Sequence, residues 1–459
     1  MVVADENLNK SGIRKVLESV RLVPFAFLYS FFCWFFELSF ATVVGFTVLC
    51  VLILFFCENI NNLFALVFFI AFFIRDISGI NWTGYIVCIV VACASMIFYT
   101  VKTAVKRGGL RKGKMFYALL VADVAFLLGG AIGRFSLLQF GIVLGFEAAV
   151  MLLYILAINC TENLTEYLAS LFIVGALFIS AEIICVKVMD GDLFNGSPMG
   201  LVFFFSAQTM NTASIFILLG ITGCYAMGVR KKYDLFFLLL AIFFLFAIFL
   251  SCCRTVLAIS SVVLVIIYVM MFVRTPDKIA YLCMSLVILG AAIVFAIMFK
   301  NYIVDFIDMI IAKLNRGLNG RESLWPWCWQ KFTEYPVLGY GFISSEAVPT
   351  VRANLVLAHN TLLQWLTSLG VIGASMMSLF YICKYKILFG GRYAHKLFAV
   401  LSVLGIELSG MLDQAAAMDV FVFLLPLVIL SGVERETAAE VSLEEFVSIG
   451  TERNFAELC

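Results

Sequence analysis

Long apolar runs, separated by short polar connections, recur along most of the chain. A helix needs about 20 apolar residues to cross the hydrocarbon core of a bilayer. Laid along the sequence, that ruler marks spans at 22–38, 41–57, 62–75, 82–101, 115–133, 135–158, 165–187, 203–229, 234–250, 255–273, 279–299, 358–383, 396–411 and 416–432. The third is short and the first two run together around Glu37, so the pattern predicts about fourteen crossings within a range of about twelve to fourteen. The expected fold is an all-α, polytopic membrane protein. Residues 300–357 break the rhythm as one long connection. Long ordered connections are uncommon and usually functional.

Composition agrees with the pattern. Of the 459 residues, 63% are hydrophobic and 13% charged. A soluble domain is roughly half apolar and a quarter charged, so a soluble enzyme, a disordered chain and a nucleic-acid binder are excluded. The net charge of +1 gives no bulk attraction to polyanions. The 14 cysteines fall mostly inside apolar runs, with no CxxC pair or metal-type Cys/His spacing, and read as small buried hydrophobes. Residues 1–21 are polar, carry Lys10, Arg14, Lys15 and Arg21, and lead into an apolar run without a small-residue cleavage pattern. The first span is therefore expected to be retained.

Lysine and arginine orient the spans. With both ends cytoplasmic, 21 of the 31 basic residues fall on the inner side, in residues 1–21, 102–114, 230–232, 274–278 and 384–396 and the tail 433–459. That tail is acidic and reads as solvated or disordered. The ten others are Arg75, Arg134, Lys187, Arg254, Lys300, Lys313, Arg316, Arg321, Lys331 and Arg352. The organisation expected is an inner tail 1–21, spans within 22–299, an outer segment 300–357, spans within 358–432 and an inner tail 433–459.

Few polar residues are placed for chemistry. His395 sits among Lys384, Lys386, Arg392 and Lys396 and reads as part of a basic inner loop. His359 stands where the outer segment enters a span, and imidazole ordinarily titrates near neutrality, which suits proton transfer. A histidine hydrogen-bonded at a helix start is the plainer reading. Asn360 and Gln364 are four apart and share a helix face. Arg254 lies at the outer end of a span, where an arginine is either functional, paired or snorkelling. Arg321 follows an Asn-Gly turn and is either solvated or part of a site. Guanidinium forks suit phosphate oxygens, so two arginines and a histidine on one side point to an anionic substrate. Trp325, Pro326 and Trp327 suggest a headgroup-level aromatic surface. Asp123, Glu147, Glu182 and Glu407 fall inside spans. They are either structural partners or a proton path, which keeps a secondary transporter as the rival class.

Four motifs, in order, then carry a resemblance: Gly320-Arg321-Glu322-Ser323-Leu324-Trp325; Tyr335-Pro336-Val337-Leu338-Gly339-Tyr340-Gly341-Phe342; Ala358-His359-Asn360-Thr361-Leu362-Leu363-Gln364; and Leu369-Gly370-Val371-Ile372-Gly373. The series resembles the signature region of the O-antigen ligase and polymerase superfamily over roughly residues 250–385. The resemblance implies a GT-C-like, metal-independent, inverting glycosyltransferase of the bacterial inner membrane that needs no cofactor. Its site would face the outside and its donor would be an undecaprenyl-pyrophosphate-linked oligosaccharide. Its other partners would be a glycan acceptor, the lipid bilayer, and a chain-length regulator or flippase, with no nucleic acid. By resemblance Arg254 and Arg321 hold the pyrophosphate and His359 activates the acceptor hydroxyl. Asn360, Gln364, Trp325 and Arg352 complete the substrate-binding candidates. Within the superfamily the reading leans to a polysaccharide polymerase, with an O-antigen ligase as the alternative.

Overall fold

In lipid every backbone N–H and C=O must find a partner within the protein, and an α-helix meets that demand inside one segment. The apolar runs accordingly form helices, and no strand occurs among the described residues. The computed structural model describes residues 12–74, 82–189, 210–231, 234–298 apart from 276, 321–344, and 356–437 apart from 392–394 and 413–422, with scattered positions in 300–311 and 346–349. A short helix, Gly12–Glu18, leads into α1, Leu22–Phe35. Then come α2 Ser39–Phe56, α3 Asn61–Phe69, α4 Trp82–Arg107, α5 Phe116–Ala125, α6 Leu137–Cys160, α7 Leu164–Met189 and α8 Met210–Lys231. The rest are α9 Asp234–Leu250, α10 Arg254–Arg274, α11 Lys278–Met298, α12 Arg321–Glu334, α13 Thr361–Phe389, α14 Lys396–Leu412 and α15, residues 423–437.

Among the described residues, seven helices are long and apolar enough to cross a membrane, or eight if the bent pair Gly12–Glu18 and Leu22–Phe35 is one span. The fourteen crossings read from the sequence also need shorter apolar helices such as α9, and length and apolarity do not establish that number. Glu37, where the apolar pattern runs the first two spans together, takes φ 62° and separates α1 from α2. The outer surface is apolar: Val105 is 78% exposed and Leu137 77%. Such surface demands lipid rather than water.

At the centre α8 is almost wholly buried and packs against α7, α9, α10 and α14. Apolar burial gives little drive for helix association in lipid, so close backbone approach and interhelical hydrogen bonds take over. Gly220 and Gly223 let α8 lie directly on α7, where a methyl group would meet Ala176 and the Ala169 carbonyl. Ser214 of α8 bonds Ser251 at 2.8 Å, and Thr222 bonds Ser402 of α14 at 2.7 Å.

Two charges prove to be placed differently from their sequence reading. Lys384 was grouped with an inner basic loop, yet α13 runs on to Phe389 and Lys384 is only 2% exposed. It pairs with Glu407 of α14 and lies 3.7 Å from the centre of the Tyr381 ring. Glu434 was grouped with the acidic tail, but it belongs to α15 and is buried. Its carboxylate accepts from the Lys114 and Met115 N–H groups at 2.6 and 3.2 Å, capping the start of α5.

The segment expected as one long loop contains α12, and the chain after α12 is built into α13. The latter is broken at Gly370, which takes φ 66° and ψ −170°. An unbroken helix would join Val371 N–H to Thr367 O and Ile372 N–H to Ser368 O. The break frees these four groups, and residues 336–341 satisfy all of them. Tyr340 N–H and Gly341 N–H donate to Thr367 O and Ser368 O at 2.7 and 3.2 Å, while Pro336 O and Val337 O accept from Val371 N–H and Ile372 N–H at 2.8 and 3.3 Å. Within a membrane-spanning helix, irregular backbone is tolerated only when protein covers it. The cover comes from a π-helical segment, Phe126–Ile132, that continues α5. Side chains at Gly129, Gly130 and Gly133 would collide with Leu369, Phe342 and Leu338, so glycine there lets the backbones touch.

Replacing Gly370 with alanine forces a side chain into left-handed φ and against the Val337 carbonyl. We expect it to cost on the order of 3 kcal/mol, read as a lower unfolding temperature in detergent. Gly145→Ala, on an open face of α6, is the control expected to leave that temperature unchanged or slightly higher. Equal temperatures for both variants would refute the role given to the break.

Candidate active site

α12 presents two stripes at helical spacing. Leu324 and Cys328 face inward and pack with Val348 and Ala358. Arg321, Trp325 and Trp329, at i, i+4 and i+8, lie along another stripe. They border a groove of about 560 Å³ whose other wall is Asn360, Leu362, Leu363 and Leu366 of α13. The groove is apolar apart from Arg321 and Asn360. Arg321 stands in the first described turn of α12 and brings the one cationic side chain among the described lining residues, opposite Asn360.

His359 and Asn360 stand where the chain enters α13. Asn360 caps the helix: its side-chain oxygen accepts from Leu363 N–H at 2.9 Å, and its amide donates to Met411 O at 3.1 Å. Before it, Ala358 is held twice. Its N–H donates to Gln364 Oε1 at 2.8 Å and its carbonyl accepts from Trp325 Nε1 at 2.9 Å. His359, between these two held residues, takes φ 49° and is half-buried. Histidine enters this left-handed region more readily than most residues, but at a cost, and such strain concentrates at functional sites.

Gln364 has a different place from the one expected. It is fully buried, and its amide nitrogen donates to Val356 O and Ser368 Oγ at 2.8 and 2.7 Å. Its amide therefore braces the approach to His359 and does not line the groove. Trp325 does both: it lines the groove and anchors Ala358. Arg352 lies outside the described residues.

Arg254 opens α10 after a turn in which Cys252 takes φ 59° and Ser251 bonds Ser214. This turn sits level with the end of α14. α8 and α14 run antiparallel, with Thr222 against Ser402 and Leu218 against Gly405, which places Ser214 near Ser409. The neighbouring Gly410 and Met411 carbonyls accept from Thr361 and Asn360. Arg254, Arg321 and His359 thus lie at one end of the bundle.

Some residues at this end escaped the sequence reading. Tyr340, fully buried, receives Arg134 at 4.9 Å and Lys331 at 5.3 Å from its ring centre. Lys331 also pairs with Glu334 and Glu346 at 2.9 and 3.0 Å, and the Glu334 hydrogen bond holds it above the usual lysine range. Both cations were visible as outer-side exceptions to the charge bias. The 321/325/329 spacing was visible too, but is meaningful only once the segment is known to be a helix. Asp123 of α5 and Glu147 of α6 lie beside each other, while Glu407 is taken by Lys384.

The bracing explains a difference in expected stability. Gln364→Leu keeps the volume but leaves Ala358 N–H and Val356 O without partners, for an expected loss of about 2–4 kcal/mol. Asn360→Ala removes one cap, for about 1 kcal/mol. Chemical unfolding of both variants checks the order, and a smaller loss for Gln364→Leu would contradict it.

No curated protein matches the chain significantly. A family model does: residues 236–378 match the model described as O-antigen ligase. The matched segment runs from α9 to within α13, and so holds Arg254, α12, residues 336–341 that pair with the break (the inserted loop), His359 and the break at Gly370. Over that segment, which is under half of the chain, the protein is similar to the O-antigen ligase family, in agreement with the motif series read from the sequence.

Proposed function

We propose that the chain is a membrane glycosyltransferase. It joins undecaprenyl-pyrophosphate-linked oligosaccharide repeat units into a surface polysaccharide, O-antigen or capsule, at the outer face of the cytoplasmic membrane. The observation that carries this reading is the apolar groove between α12 and α13, with Arg321 and Asn360 in its lining and His359 next to Asn360 in the chain. An amphiphilic donor with a pyrophosphate head and a polyprenyl tail matches that lining. A groove of about 560 Å³ holds the head and the first part of the tail, and the rest remains in lipid.

The step follows from the groups present. The acceptor sugar hydroxyl attacks the anomeric carbon of the donor while His359 takes its proton. The bond from that carbon to the phosphate oxygen breaks, and undecaprenyl pyrophosphate departs with the electron pair. Arg321 and Arg254 meet the charge that grows on the leaving oxygen. Attack opposite the leaving group inverts the anomeric carbon. Trp325 holds the Ala358 carbonyl, so the donor-binding helix and the base are mechanically linked.

A ligase transferring finished glycan to lipid A-core is the second reading, favoured by the description of the matching family. Purified protein incubated with lipid-linked repeat units distinguishes them. A ladder of products supports the polymerase, and a single transfer onto added lipid A-core supports the ligase. Neither product overturns the glycosyltransferase reading and returns attention to transport through the Asp123 and Glu147 pair. His359→Ala should abolish product while the variant still unfolds cooperatively, at a slightly lower temperature because alanine is less at home in the left-handed region. Full-length polymer from that variant would remove His359 as the base. Arg254→Lys keeps the charge but loses the planar fork, so turnover should fall about tenfold or more. Unchanged turnover would make Arg254 a structural residue only.

A further inference from the structure

The end of the bundle opposite the candidate site carries a second feature that the glycosyltransferase reading does not use. α6 spans the two ends: Gln139 receives the Ile343 N–H beside the inserted loop, and Asn159 lies about 30 Å away along the helix axis. Around Asn159 is a polar cleft of about 580 Å³ in which Arg107, Arg111 and Arg435 come together. They arrive from three places: the end of α4, the connection after it, and α15.

The cleft is shaped by fixed hydrogen bonds. Arg107 donates to Asn159 O at 2.6 Å, and Asn159 Oδ1 accepts from Arg111 N–H at 2.9 Å. Arg435 donates to the Thr161 carbonyl and to Thr161 Oγ1. One nitrogen of Arg107 and one of Arg435 are used in these bonds. A guanidinium has five N–H donors, so donors remain for a guest.

The charge is unbalanced. Of the two carboxylates lining the cleft, Glu58 is bound by Arg14 at 3.2 Å and by Lys106 at 3.1 Å. Glu162 is left to face three guanidinium groups. Burial, and after it the nearness of Arg111, holds Arg435 below its ordinary range, with Arg107 adding to the effect and Glu162 opposing it. Cations gathered this closely repel one another, and an anion relieves the repulsion. Planar forks arriving from several directions suit a tetrahedral oxyanion.

We propose that this cleft binds a phosphate group, either of an anionic phospholipid head in the adjacent leaflet or of a soluble phosphorylated compound. Basic pockets between membrane helices hold lipid phosphates in this manner. The site joins α4, α6 and α15, so its occupancy ties α15 to the body of the protein.

The test uses the purified full chain in neutral detergent and follows its unfolding temperature during titration. The probes are phosphatidylglycerol, inorganic phosphate and phosphatidylcholine. Wild type should be stabilised by phosphatidylglycerol, by phosphate or by both, and not by phosphatidylcholine. Stabilisation by phosphatidylglycerol alone identifies the source as a lipid head, and stabilisation by phosphate alone identifies a soluble ligand. Arg111→Gln, an exposed position, should raise the half-saturating concentration about tenfold, the effect of losing one charge-assisted bond. Arg107→Gln should do the same, with its unliganded unfolding temperature as the folding check. Lys102→Gln, on the same helix as Arg107 but outside the cleft, should bind as wild type. The proposal fails if no probe stabilises the protein, if phosphatidylcholine does so equally, or if Lys102→Gln weakens binding as much as Arg111→Gln.

Discussion

The candidate site depends on an exchange of four backbone hydrogen bonds. At Gly370 α13 gives up two of its own, leaving two carbonyls and two N–H groups open, and residues 336–341 supply two donors and two acceptors in register. In a low-dielectric interior each unpaired group would cost several kcal/mol, so neither the break nor the loop is stable without the other. The result is a short helix, from Thr361 to the break, with its start at one end of the bundle. His359 and Asn360 occupy that start, and the same loop delivers α12 and its Arg321 alongside.

Around this joint, polar groups are used sparingly and in pairs. Serine and threonine hydroxyls tie α8 to the turn before Arg254 and to α14. A buried lysine–glutamate pair ties α13 to α14 away from the groove. A buried glutamate from α15 caps α5. Each of these fixes one helix end relative to another where apolar packing alone leaves helices free to slide.

The helices were largely legible in the sequence, because a segment in lipid has to be apolar and helical at once. The break was not. Gly370 lies in an apolar run that reads as one continuous crossing, and Gly339-Tyr340-Gly341 reads as a plain turn. Their relation is a pairing between two stretches, which linear periodicity does not carry. The same holds for Lys384 and Glu434, whose partners lie on other helices, so both were read as solvated. Arg254 and Arg321 could be chosen because they run against the charge bias, and His359 because it is the lone histidine at the outer boundary; the structure sets all three at one end of the bundle. Gln364 shared a face with Asn360, as its spacing required, but that face turns inward and makes it a brace. Arg134 and Lys331 were equally exceptional in charge, yet their meeting at Tyr340 needs the folded chain.

The hydrogen bond from Trp325 to the Ala358 carbonyl has a mechanical consequence. Together with the backbone pairing at Gly370, it fastens α12, the inserted loop and the first turns of α13 into a single stiff unit. Both walls of the groove belong to that unit, so the groove has no hinge between its walls. A guest therefore meets a groove whose width is set in advance, and fit comes from the shape of the guest and not from one wall closing on the other.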